Sequence, residues 1–80
     1  MRLDKFLKLS RVIKRRTVAN DVCQAGRVTV NGKPAKPSVK LKVGDVVTIL
    51  FGRGEVKFKV LSLQETVRKE EAATMYELLE

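Results

Sequence analysis

The hydrophobic positions of this 80-residue chain change period along its length. From Arg2 to about Leu9, Leu3, Phe6 and Leu7 fall at i, i+3 and i+4, which predicts one apolar face of a short helix. Asp4, Lys5 and Lys8 point away from that face, and Arg2 sits near its boundary. A second helix is predicted from Thr17, whose hydroxyl can cap free backbone N–H groups. Asp21 in its early turns suits the positive end of the helix dipole. Val18, Ala19, Val22 and Cys23 make its apolar face, and Gly26 is the expected stop. Between the helices lies a connector, Ser10 to Arg16, with Val12 and Ile13 as its anchors to the core.

After Gly26 the period becomes 2. Asn31-Gly32 between extended segments is a strong hairpin signal, because both central residues must take positive φ. Pro34 and Pro37 bracket a stretch expected outside any ladder, since proline cannot donate to one. Val39 to Val43 alternates as a strand, and Gly44-Asp45 turns the chain. Val46 to Phe51 is a β-branched, largely buried strand. Gly52-Arg53-Gly54 turns again, and Val56 to Val60 alternates on the way back. From about Val67 the spacing of Ala72, Met75, Tyr76 and Leu79 predicts a C-terminal helix. The expected class is α+β: two N-terminal helices packed on a small, mainly antiparallel twisted sheet, plus that helix. Residues 1–64 form the main domain, and 65–80 an acidic helix packed on it or extending from it.

Charge sharpens the picture. The chain carries +8 at neutral pH, with 17 Lys and Arg against 9 Asp and Glu. Seven of those cations lie between Arg2 and Arg16, with Asp4 as the only anion among them. That density points to a polyanion, the usual footprint of nucleic acid. Arginine grips phosphate bidentately, and Arg15 and Arg16 stand together in the connector. The RNA-binding candidates are Arg2, Lys5, Lys8, Arg11, Lys14, Arg15 and Arg16, with Asn20 on the polar face of the second helix and Lys33 and Lys36 beside the hairpin turn. Lys40, Lys42, Lys57 and Lys59 read first as solvated strand positions, and secondarily as non-specific contacts. After residue 60 the balance reverses: Glu65, Glu70, Glu71, Glu77 and Glu80 outnumber Arg68 and Lys69.

Several classes fall away. Eighty residues make one domain with little core to spare. The chain has no histidine and one cysteine. It therefore lacks a His-based triad, a Cys/His zinc set and any internal disulfide. There is no glycine-rich phosphate loop, and the adjacent Glu70 and Glu71 diverge on a helix. No enzyme, no metal and no cofactor is expected. Cys23 reads as a small core hydrophobe. A signal peptide and a membrane span are not expected, and a cytosolic monomer is. A DNA reader would need base-reading side chains facing out from its recognition helix. Here the cations precede the second helix and Asp21 sits on its outer face, which favours RNA backbone over DNA.

Arg2-Leu3-Asp4-Lys5-Phe6-Leu7, the basic connector before Thr17, Gly26-Arg27-Val28-Thr29-Val30-Asn31-Gly32 and Gly44-Asp45-Val46-Val47 together resemble the S4 RNA-binding domain. The resemblance covers roughly residues 1–51. The tail Glu71-Ala72-Ala73-Thr74-Met75-Tyr76-Glu77 is similar to the stand-alone branch of the small ribosome-associated heat-shock protein and of the RqcP-like proteins of Gram-positive bacteria. The resemblance implies the S4-like (alpha-L) fold. It also implies binding to obstructed large ribosomal subunits that still carry peptidyl-tRNA, in support of nascent-chain tailing or rescue. The implied partners are large-subunit ribosomal RNA, peptidyl-tRNA and a larger tRNA-recruiting quality-control factor. By position, Arg2, Lys5, Arg11, Lys14, Arg15 and Arg16 would contact the RNA. The family often has a small residue where Thr17 stands, and the heat-shock relative's basic C-terminal extension has no counterpart, so neither contact is carried over. The residues alone leave two alternatives open: a general structured-RNA binder or chaperone, and an adaptor acting through its acidic C-terminal helix.

Overall fold

In the computed structural model, which describes residues 1–52, 54–65 and 67–79, the first helix is α1, Leu3–Leu9. A helix this short is marginal in water by itself, so packing and end contacts must hold it. Free N–H groups of its first turn find acceptors in a distant segment. Leu3 N–H donates to the Val39 carbonyl at 2.8 Å, and Asp4 N–H to the Pro37 carbonyl at 3.1 Å. Leu41 N–H donates in turn to the Met1 carbonyl at 2.9 Å. The alternating stretch 39–43 is therefore no sheet strand; its single bridge joins Lys40 to Arg2. Its backbone groups are spent strapping the start of α1.

Past α1 the chain reverses through Arg11, which adopts the left-handed conformation at φ 61°. The second helix, α2, spans Arg16–Gln24 and starts one residue before the predicted Thr17. Its N-cap is Arg15, which makes no side-chain capping bond, so Thr17 caps nothing. At the other end Gly26 takes φ 75°, and Gly26 and Arg27 N–H groups close on the Cys23 and Val22 carbonyls at 3.1 and 3.2 Å. Ala19 and Cys23 are buried, whereas Val18, expected on the apolar face, is exposed.

Five antiparallel strands follow in the order β2-β1-β3-β4-β5. β1 (Val28–Val30) and β2 (Lys33–Pro34) form the predicted hairpin, with φ 53° at Asn31 and 82° at Gly32. The Asn31 side chain also ties this turn to the next one: it donates to Asp45 Oδ1 at 3.1 Å and accepts from Val46 N–H at 2.9 Å. Pro34, expected outside any ladder, pairs with Thr29, which it can do because β2 is the sheet edge. β3 (Val46–Phe51) and β4 (Gly54–Val60) pair along their full length, Val46 opposite Lys59 and Phe51 opposite Gly54. Arg53, part of the predicted Gly52-Arg53-Gly54 turn, lies outside the described residues.

The tail departs from the predicted helix. It turns helical only as a 3-10 segment, Lys69–Met75, and then extends as β5, Tyr76–Leu79, antiparallel to β4. Glu80 lies outside the described residues. The helical spacing of Ala72 and Met75 did mark buried positions. Tyr76 instead continues into a strand, where its ring meets Phe58 edge-on at 5.4 Å. Phe58 in turn stacks on Phe6 of α1 at 6.0 Å, so helix, sheet and tail share one core. The helices cover one sheet face. Thr48, Lys57 and Lys59 point to the other, Lys59 opposite Glu77. Among the described residues, no helix is long and apolar enough to cross a membrane.

Candidate nucleic-acid interface

Asp4, expected to point into solvent, is only 2% exposed. Burying a carboxylate is costly unless it is paired and hydrogen-bonded. Here it is both. Asp4 accepts from Arg2 Nη2 at 3.2 Å and from the Lys5 backbone N–H at 2.8 Å, and lies 3.6 Å from Arg16 Nε. Arg2 is the N-cap residue of α1 and Arg16 the first residue of α2. One carboxylate thus gathers the starts of both helices. Each arginine side chain stays about half exposed (48%). A guanidinium has five N–H donors, so most of each fork is left for an anion from outside.

The remaining predicted cations divide around this pair. Arg2, Asn20 and Lys36 line a groove of about 450 Å³ between α2 and the 36–38 segment, together with Gln24, Cys23, Pro37 and Ser38. Asn20 also borders a second cleft, with Asp4, Arg16, Thr17 and Asp21. Lys8, Arg11 and Lys14 line a third, closed on one side by Val67 of the tail. Arg15 is exposed in the connector. Lys5 is engaged elsewhere: its ammonium forms an ion pair with Glu65, and that hydrogen bond holds the Glu65 carboxyl below its ordinary range. Lys33 sits in edge strand β2 and lines none of these clefts.

Two kinds of residue were missed from sequence. Asp4 is expected from the sequence only to point away from the apolar face of α1, although an Arg-x-Asp spacing at the start of a basic helix is the signal of a pair. Gln24 and Ser38 become visible only once the fold places α2 beside the 36–38 segment. Gln24 Nε2 donates to Asn20 Oδ1 at 2.7 Å, one helical turn away. Cys23 forms part of the same groove's floor. Burial, with Asp4 adding repulsion, pushes its thiol up to about 11, so it stays neutral and unreactive near pH 7. Among the described residues, no three His, Cys, Asp or Glu side chains gather as a metal site would require.

Comparison with known proteins places the chain in a family. The S4 domain model matches residues 1–47, which span α1, the connector, α2 and the β1–β2 hairpin. A protein of Halalkalibacterium halodurans named RQC P-site tRNA stabilizing factor is 56% identical over 78 residues, covering 98% of this chain and 89% of the relative. One of the same name from Bacillus subtilis is 53% identical over 79 residues, 99% of this chain and 92% of that one. Among solved structures, Heat Shock Protein 15 of Vibrio cholerae superposes with a TM-score of 0.90 at 31% identity, covering 99% of this chain and 81% of that one. The chain belongs to the S4 domain family, alongside the RQC P-site tRNA stabilizing factors.

Proposed function

We propose that this protein is a non-enzymatic RNA-binding factor of ribosome-associated quality control. It docks on obstructed large ribosomal subunits that still carry peptidyl-tRNA, and helps hold them during tailing or rescue of the nascent chain. The observation that carries this reading is the arginine pair held on Asp4. Two half-exposed guanidiniums oriented by a buried carboxylate are pre-organised for RNA phosphates, so little side-chain freedom is lost on binding. Relatives above 50% identity over nearly the whole chain carry the name RQC P-site tRNA stabilizing factor, which supports ribosome and P-site tRNA as the RNA in question. Its place of action is then the cytoplasm, on the ribosome, beside a larger tRNA-recruiting factor.

In this reading Arg2 and Arg16 anchor the RNA backbone. Lys8, Arg11, Lys14 and Arg15 extend the grip along the connector, and Asn20 and Lys36 along the opposite groove. Lys5 contributes charge while paired with Glu65, and Lys33 adds long-range attraction from the sheet edge. The test is binding of Arg2→Ala and Arg16→Ala proteins to purified large subunits carrying peptidyl-tRNA. Each variant should keep its fold and lose about tenfold or more in affinity, as for one charge-assisted contact. Folded variants that bind like the parent remove those residues from the interface.

A further inference from the structure

The groove lined by Arg2, Asn20, Gln24 and Lys36 has features that a phosphate-only surface does not need. Its volume of about 450 Å³ falls within the range of small-ligand clefts. Its cations are Arg2 and Lys36, and no carboxylate lines it. Its floor includes Cys23 and Pro37, both buried, and the Cys23 thiol is neutral. The Asn20 and Gln24 amides are joined by one hydrogen bond. An amide has two N–H donors and a carbonyl acceptor. After that shared bond, the pair still offers N–H donors from one amide and a carbonyl acceptor from the other, side by side. This donor–acceptor set matches the edge of a nucleobase, whereas phosphate asks for donors alone.

We propose that this groove takes one unpaired nucleotide of the bound RNA, its base edge read by the Asn20–Gln24 amide pair and its flanking phosphates held by Arg2 and Lys36. The proposal rests on the RNA-binding reading above and deepens it, adding a base-reading site to a backbone-binding surface. Base planes stack on apolar surfaces and on guanidinium faces. The Arg2 fork, held by Asp4, supplies a guanidinium face. Gln24 thereby acquires a role that charge counting misses.

Base readout and phosphate contact separate by salt. Neutralising a phosphate contact lowers the slope of log K against log salt by nearly one, whereas losing a base contact leaves the slope unchanged. The experiment uses the full chain and synthetic RNA hairpins: fully paired, bearing one bulged nucleotide of each base in turn, or carrying an abasic bulge. The parent protein should bind at least one bulged hairpin about tenfold more tightly than the paired and abasic ones. Gln24→Ala, a favourable exchange on an exposed helix position, should abolish that preference with an unchanged salt slope. Lys36→Ala should weaken every hairpin alike and lower the slope by about one. Equal affinity of the parent for bulged, abasic and paired hairpins, with steep salt dependence, overturns the nucleotide site and leaves the RNA-binding surface standing. A Gln24→Ala loss shared equally by all hairpins also overturns it. Absence of salt-dependent binding to any of them removes both the site and the reading beneath it.

Discussion

Replacing Asp4 by alanine removes an anion from a face meant to attract anions, so simple charge counting predicts tighter RNA binding. The geometry predicts the reverse. Arg2 and Arg16 lose the carboxylate that orients them, and the Lys5 N–H loses its acceptor. Affinity for large subunits should fall, and urea unfolding should report a stability loss of about 1–3 kcal/mol. Asp4 was hard to read from sequence for a specific reason: periodicity marks burial only through apolar side chains, and the second arginine lies in the next helix. Cys23 allows a prediction with a definite sign. Its thiol is raised when folded, so its contribution to stability is complete below its ordinary value near 9 and is lost as pH rises through about 11. Parent protein should therefore lose more stability across that window than a Cys23→Ala variant, as measured by urea unfolding at both ends.

Elements whose signals are local were legible, and those held by distant partners were not. Asn31-Gly32 specified its hairpin because both residues tolerate positive φ, and Gly26 closed α2 for the same reason. The tail misled because Ala72 and Met75 sit at helical spacing in a 3-10 turn. β5 exists because β4 offers an open edge and Phe58 a ring for Tyr76 to meet. The stretch 39–43 misled because its alternation is real, yet its Val39 carbonyl and Leu41 N–H are taken by Leu3 and Met1 at the start of α1. The connector's turn gives a test of its own. Arg11 holds the left-handed conformation that costs an L-residue about 1–2 kcal/mol. Arg11→Gly should relieve part of that cost and raise the unfolding midpoint while weakening RNA binding. A variant that is both more stable and equally tight would place Arg11 outside the interface.

Seen whole, the domain is electrically lopsided. Its N-terminal helices and connector carry seven of the 17 cations, while Glu70, Glu71 and Glu77 stand exposed around the 3-10 turn and β5. Such asymmetry orients approach to a polyanion, with the N-terminal cations leading, before any contact forms. The S4 framework makes this arrangement rigid. Phe6, Phe58 and Tyr76 link α1, β4 and β5 through one core, and Asp4 fixes the two leading arginines on top of it. What the surface selects is decided by comparing purified large ribosomal subunits with and without bound peptidyl-tRNA, at one salt concentration and with the same protein. The account predicts clearly tighter binding to subunits that carry peptidyl-tRNA, and its loss in the Arg16→Ala protein. Equal affinity for both kinds of subunit, or binding to neither, would contradict it.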